Sequence, residues 1–372
     1  MKILYIVNEP WFFLSHRLPI AVAAQEQGYT VHVATKGGAA VQEILEKGFI
    51  HHEISLSRNG SSIPSELTSL LNIWQLINKV EPDVLHLVTI KPVLYGGIAS
   101  RFTSVKKVVA AVSGLGTLFL ATGAKAEIKR KLGVGLYHCA LRSNKTTVIL
   151  QNPDDKQLLV DLKAVKAEQT ILIRGSGIDL SAFQAFPESL MGTPVVTFAA
   201  RLLFDKGLAE YIKAIKLLNE KGVVANYQIV GDLDLGNSTS ATAKNIEEWQ
   251  SIPNLEVLGY HKNMSSVFRD TNLVVLPSYR EGLPKVLIEA AACGRAVITT
   301  DVPGCRDAIE ANKTGLLVPV KNSTELANAI EKLVTDSKLR VEMGIAGRQL
   351  AEREFAIEKV VDQHLSIYQQ AN

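Results

Sequence analysis

At 372 residues the chain is longer than one hydrophobic core usually supports, so two domains of roughly 150 to 190 residues each are expected. Apolar residues make up 47% and charged residues 21%, which excludes a disordered or low-complexity chain. The net charge of +3 conceals an asymmetry: residues 1–185 hold 20 Lys and Arg against 14 Asp and Glu, the remainder 20 against 23, so the first half carries +6 and the second −3.

The opening MKILYIVNEPWFFLSHRLPIAVAAQ has a lysine and a short apolar run, but Glu9, His16 and Arg17 interrupt it too early for a secretory signal. The longest uncharged stretch, Val108 to Ala124, has 17 residues with three glycines and falls short of the roughly 20 apolar residues of a membrane span. Cys139, Cys293 and Cys305 have no metal-ligand spacing and suit reduced thiols packed as small core residues.

In chain order, KILYIV is followed by a helical segment from Leu18 to Gln27, then TVHVAT, then DVLHLV with a helical segment from Pro92 to Arg101, then KKVVAAV and TTVIL. Short runs that are apolar on both faces and alternate with helices predict a parallel, doubly wound α/β sheet. The pattern restarts with PVVTFAA, NYQIVG, LEVLGY, NLVVLPS and RAVITT, so two such domains stand in tandem. Residues 174–194, rich in Gly, Ser and Pro, read as the linker, with the boundary near 190. The expected division is 1–185, 190–352 and a last helix over 355–372 that returns to the first domain. Asn322 and Glu325 have capping-box spacing, and Val361, Leu365 and Tyr368 share one face of that last helix.

Sheets of this kind bind ligands beyond the carboxyl ends of their strands, so the strand-to-helix turns are where function is sought. In LVVLPSYREGLPKVLIEAAACG, Pro284 suits a first helical turn, and a helix start favours phosphate. Glu281 would repel a phosphate unless the ligand also carries hydroxyls, as a sugar nucleotide does. Glu289, about one and a half turns into the helix, stands near the depth a ribose would reach if a pyrophosphate sat at Leu283 to Lys285. A turn residue and a solvated helix residue would show the same spacing. Arg201 and Lys206 lie at the turn after VVTFAA, where a planar fork and a compact ammonium suit a diphosphate leaving group. Asp232 and Asp234 in GDLDLG form a DxD match to a metal site of another fold, but they follow a strand as a turn, where Asp is common, and the metal reading is set aside.

The turn around Arg201 and Lys206, IVGD at 229–232, LGY at 258–260 and the E-x7-E element closing in EAAACG together resemble the retaining glycosyltransferases of the GT-B fold, the large family usually numbered four. In the first domain SHRLP, HLVTIKPVLYGGIAS and VSGLGTLF are similar to its bacterial polysaccharide members, those like the undecaprenyl-diphosphate-bacillosamine N-acetylgalactosaminyltransferases. The resemblance implies two Rossmann-like domains facing a cleft and transfer with retention from a UDP-sugar to a lipid-diphosphate-linked saccharide, with no metal or other cofactor. It implies that Arg201 and Lys206 neutralise the diphosphate, Glu281 contacts the donor sugar and Glu289 the ribose. Gly231, Tyr260, Gly282, Leu283, Pro284, Lys285, Val286 and Leu287 would line the donor site.

The chain departs from the family's pattern in having no glycine-rich turn after its first strand and Ser113-Gly-Leu-Gly116 where relatives carry a histidine. His16 is the candidate for that role, with capping of the helix at Arg17 as its bland alternative, and His86 reads as a packed histidine. Arg17, Gly114 and Gly116 are placed on the acceptor side. Lys125, Lys129, Arg130 and Lys131 lie beside an Ile128, Leu132, Leu136, Ala140 stripe in a predicted amphipathic helix. The stripe faces either the core or the anionic cytoplasmic surface of the inner membrane, where a peripheral enzyme would meet its acceptor. Nucleic acid is not expected as a partner, because aromatics are only 6% and do not interleave with the basic residues. An epimerase or hydrolase of the same architecture and a non-catalytic donor-binding scaffold are the alternatives.

Overall fold

A computed structural model describes residues 1–56, 63–115 and 124–371, which fall into two compact units: residues 1–177 with the segment from Ile357 onward, and Ile178–Ala356. In the first unit β1 (Lys2–Val7), β2 (Thr30–Thr35), β3 (Ile50–Glu53), β4 (Val84–Val88), β5 (Lys107–Val112), β6 (Thr146–Leu150) and β7 (Thr170–Leu172) form a parallel sheet in the order β3-β2-β1-β4-β5-β6-β7. Side chains alternate along a strand, so Leu4 and Ile6 of β1 join one core cluster while Ile3, Tyr5 and Val7 join another on the opposite face. Helices α1 (Pro10–His16), α2 (Leu18–Glu26), α3 (Val41–Glu46), α4 (Ile63–Val80), α5 (Ile90–Ser100), α6 (Ala124–Leu141) and α7 (Pro153–Asp161) connect these strands.

The second unit repeats the plan with β8 (Val195–Ala199), β9 (Asn226–Val230), β10 (Leu255–Gly259), β11 (Leu273–Leu276), β12 (Ala296–Thr300) and β13 (Gly315–Val318), ordered β10-β9-β8-β11-β12-β13 and all parallel. Its helices are α8 (Leu208–Glu220), α9 (Ala243–Gln250), α10 (Met264–Arg269), α11 (Lys285–Ala292), α12 (Ser323–Thr335) and α13 (Ser337–Leu350). Asn322 caps α12 by accepting from the Glu325 N–H at 3.0 Å. In this sheet the direction of winding reverses between β8 and β11, and the turns that leave those strands carry Arg201, Lys206 and Glu281.

Two boundaries differ from the sequence reading. The chain leaves the first unit after Gly177, not near 190: the Ile178 N–H donates to the Phe355 carbonyl at 2.8 Å, and Glu188 forms a buried ion pair with Arg340 at 2.6 Å inside the second unit. The stretch looked like a linker because it packs as irregular backbone, which leaves no periodicity to read. The return begins at Ile357, where α14 (Ile357–Gln369) packs on α2, and the Tyr368 hydroxyl lies 3.2 Å from that of Tyr5 and 2.5 Å from His86 Nδ1. Three strands, β3, β7 and β13, were not anticipated. Each is an edge strand of three or four residues with a single neighbour, too short to give a periodic signal.

Gly207 joins the turn after β8 to α8 with φ +77, and a Cβ there would stand 2.0 Å from the Pro277 carbonyl oxygen. This contact clamps the Lys206 turn against the end of β11. Gly207→Ala is expected to destabilise the protein by at least about 2 kcal/mol through left-handed strain and backbone collision. Urea unfolding followed by circular dichroism checks this, and an unshifted midpoint would show that the clamp gives way freely.

Candidate active site

Four strand ends of the second unit supply the groups. Beyond β8, the turn of residues 203–207 is fastened to the loop after β11: the Tyr279 N–H donates to the Asp205 carbonyl at 2.9 Å and the Ser278 hydroxyl to the same oxygen at 3.2 Å. This fastening brings Lys206 to Glu281, whose ion pair has side chains 18% and 13% exposed. Glu281 is therefore no solvated turn residue. Arg201 Nη1 meets Asp234 Oδ2 at 2.5 Å, with the arginine 40% and the aspartate 15% exposed. Asp234, read from the sequence only as half of a DxD match, is thus the partner of a guanidinium. Among the described residues no group of three or more His, Cys, Asp and Glu side chains converges as metal ligands.

Beyond β9, Gly231 lies so close to the preceding turn that a Cβ would stand 1.8 Å from the Ala200 carbonyl oxygen, so its role is to let two backbones approach. Tyr260, after β10, is largely exposed. Pro284 is the N-cap of α11, not its first residue, and the helix proper starts at Lys285. Gly282, Leu283, Pro284 and Leu287 are buried and Val286 packs against the core, so these side chains are not what a ligand would meet; Pro284 has no N–H, and the Leu287 N–H donates to the Pro284 carbonyl at 3.1 Å.

Glu289 is only 8% exposed and pairs with Lys285 Nζ at 3.4 Å. Burial raises the carboxyl above the usual range, opposed by the Lys285 charge. The pair with Lys285 would also form on a solvated helix face, but the burial would not. The site also contains Cys305, whose thiol is pushed up to about 12, chiefly by burial and then by the Glu281 charge. That makes it an inert packing group; Cys293 is buried as well, whereas Cys139 is exposed, against the expectation of a core residue.

The residues expected in the first unit fare differently. His16 ends α1 with its ring stacked on Phe12, centroids 3.9 Å apart, and it is not a helix cap. Arg17, expected at the acceptor or membrane side, is 2% exposed; its Nη1 donates to the His16 carbonyl at 2.8 Å and the Ser176 hydroxyl at 3.3 Å. It ties the end of α1 to the loop after β7 and presents nothing to a surface. His86 is fully buried between Tyr5, His364 and Tyr368, and desolvation, followed by the Arg17 charge, holds its pKa well below the ordinary value. Gly114 lies beyond β5 with φ +120. Gly116 and the side chains of Lys125 and Lys129 lie outside the described residues. Arg130 pairs with Glu127, and Lys131 is exposed. The stripe expected on α6 is divided: Ile128 is 61%, Leu132 66% and Leu136 43% exposed, while Ala140 is buried in the core beside Tyr137 and Leu141.

Two doubly wound parallel units, with cations and carboxylates gathered at the strand ends of the second, define the GT-B glycosyltransferase class. The family model of glycosyl transferases group 1 matches residues 182–350 and that of glycosyl transferase 4-like domains matches residues 2–152, and the chain is a glycosyltransferase carrying these two domains in tandem. It is 25% identical over 351 residues, 89% of this chain and 91% of the relative, to the N,N'-diacetylbacillosaminyl-diphospho-undecaprenol alpha-1,3-N-acetylgalactosaminyltransferase of Campylobacter jejuni. It is 26% identical over 84% of its length, and 82% of the relative's, to the UDP-Gal:alpha-D-GlcNAc-diphosphoundecaprenol alpha-1,3-galactosyltransferase of Escherichia coli. Among solved structures it matches Anabaena HepE in complex with UDP and glucose with a TM-score of 0.77 at 18% identity, over 98% of both chains.

Proposed function

We propose that this glycosyltransferase moves a hexose or N-acetylhexosamine, with retention, from a UDP-sugar to a polyprenyl-diphosphate-linked saccharide in bacterial surface polysaccharide assembly. The observation that carries the reading is the shielded Lys206–Glu281 ion pair joining the turns after β8 and β11, with Arg201 on the same β8 turn paired to Asp234 and Glu289 buried in α11. The Campylobacter and Escherichia relatives, both named as transferases to undecaprenyl-diphosphate-linked sugars, support the acceptor class.

In this scheme the bond between the anomeric carbon and the phosphate oxygen breaks. The acceptor hydroxyl then attacks from the face the diphosphate leaves, and its proton passes to a phosphate oxygen. Negative charge grows on the diphosphate as the bond breaks, and Lys206, Arg201 and the first N–H groups of α11 receive it. Two side-chain cations supply that charge without a metal. Glu281 accepts from a donor-sugar hydroxyl and Glu289 from the ribose hydroxyls. His16, following β1, is proposed as an acceptor-side group of the first unit.

Incubating the purified protein with a panel of UDP-sugars and lipid-linked saccharide tests the reading. UDP release that requires the lipid supports transfer. Formation of an epimer or free sugar without lipid would replace it with epimerisation or hydrolysis, and UDP binding without turnover would leave a donor-binding scaffold.

The acceptor is a membrane lipid in this reading, and no helix among the described residues is long and apolar enough to cross a membrane. Docking through α6 fits its exposed Ile128, Leu132 and Leu136 beside Lys131, on the unit that includes the more basic half of the sequence. The cytoplasmic face of the inner membrane is the proposed location, and nucleic acid is not among the proposed partners. Ile128→Glu with Leu132→Glu is expected to lower binding to anionic liposomes about tenfold or more in a flotation assay while leaving the melting temperature in place. Equal binding by variant and parent would remove α6 from the docking surface.

A further inference from the structure

The GDLDLG turn does something other than bind metal. Arg201 is the longer and more exposed partner of its ion pair, while Asp234 sits on a stretch fastened to the β8 turn along its length. The Leu202 N–H donates to the Asp232 carbonyl at 2.9 Å, the Phe204 N–H to the Thr239 carbonyl at 2.8 Å, the Ala241 N–H to the Leu202 carbonyl at 2.8 Å, and the Asp234 N–H to the Ser240 hydroxyl at 3.0 Å. The carboxylate is thus held by its backbone, and the guanidinium, on a flexible stem, is the partner free to swing.

We propose that Asp234 is a stand-in for the diphosphate: it holds Arg201 while the donor site is empty, competes with UDP for the same guanidinium and so weakens product binding and speeds UDP departure. The inference rests on the reading of Arg201 as a diphosphate ligand. Its physical basis is exchange of like for like. A carboxylate and a phosphate present similar pairs of acceptor oxygens to an arginine fork, so the guanidinium can pass from one to the other without an unpaired interval. Lys206 is engaged by Glu281 and Arg201 by Asp234, so both cations are neutralised at close range and a diphosphate reaching Arg201 must displace a carboxylate. Asp234 is a positioning residue, since it acts on the diphosphate only through Arg201.

The sign of the expected effect separates this role from a structural one, because damage to the turn loosens ligands whereas loss of a competitor tightens them. UDP binding to the full-length protein is measured by titration calorimetry for the parent, Asp234→Asn, Asp232→Asn, Arg201→Ala and the Arg201→Ala, Asp234→Asn double variant. A partly exposed ion pair is worth up to about 1 kcal/mol, so Asp234→Asn is expected to tighten UDP by about 3- to 5-fold. Asp232→Asn, whose residue meets Leu202 through its backbone carbonyl, is expected to change UDP affinity less than twofold. In the Arg201→Ala background Asp234→Asn is expected to have no effect. Unchanged or weaker UDP binding by Asp234→Asn, or equal tightening in the Arg201→Ala background as a general charge effect would give, overturns the stand-in role. If Arg201→Ala itself leaves UDP binding intact, the diphosphate reading of Arg201 fails first.

Discussion

Lys206→Ala is expected to lower turnover by about 10²- to 10³-fold while the protein stays folded. Lys206 stands at a strand end, is largely shielded from water and pairs with Glu281. A fixed ammonium in such a place acts on the charge that develops as the diphosphate departs. Removing one such preorganised group from a catalytic site costs about 3 to 4 kcal/mol of transition-state stabilisation. The loss should fall mainly on kcat, because the diphosphate already carries charge in the ground state and the increment appears only in the transition state. Lys206→Arg is expected to recover part of the rate, its bulkier fork having to fit a turn clamped by Gly207. Steady-state kinetics with a thermal melt on each variant checks this, and kcat within threefold of the parent in Lys206→Ala would remove the lysine from the reaction.

Glu281→Ala is expected to lower kcat/KM for the donor by about 10²-fold, and the pattern across ligands tells why. As the reader of the transferred sugar, Glu281 should matter for the intact UDP-sugar and little for UDP alone, which lacks the hydroxyl it accepts from. As a mere holder of Lys206 it would affect both ligands alike. Glu281→Gln keeps an acceptor oxygen for the sugar but loses the charge that pairs with Lys206, so its recovery of donor affinity without recovery of rate would divide the two tasks. Loss of UDP affinity equal to the loss for UDP-sugar would sink the sugar-reading role.

The fold was legible in the sequence to the extent that burial is two-sided. KILYIV, TTVIL and NLVVLPS are apolar on successive positions because they lie inside parallel sheets with cover on both faces, and ten strands were visible in this way. The three edge strands and the irregular start of the second unit were not, since short or half-solvated backbone leaves no period. Of the candidate site, the strand-to-helix turns that carry Arg201, Lys206 and Glu281 were legible, because doubly wound sheets place their chemistry there, whereas the partner of each cation was not. Arg17 was misplaced because an arginine reads as a surface residue until the structure shows it buried among carbonyl and hydroxyl acceptors.

What the sequence determined by itself was therefore local: the alternation of strands and helices, the doubling of the architecture, and the residue types at each turn. Only the tertiary structure decided the pairings. Arg201 and Asp234 are separated by 33 positions, Lys206 and Glu281 by 75, and their meeting depends on the neighbouring places of β8, β9 and β11 in one sheet. The same holds for the apolar stripe of α6. Its spacing announces an amphipathic helix, but which stripe turns inward is set by the sheet and helices it packs on, and these take Tyr137, Ala140 and Leu141 and leave Ile128 and Leu132 outside. Periodicity fixes a face relative to its own helix axis, whereas burial depends on what stands opposite, and that is a property of the whole chain.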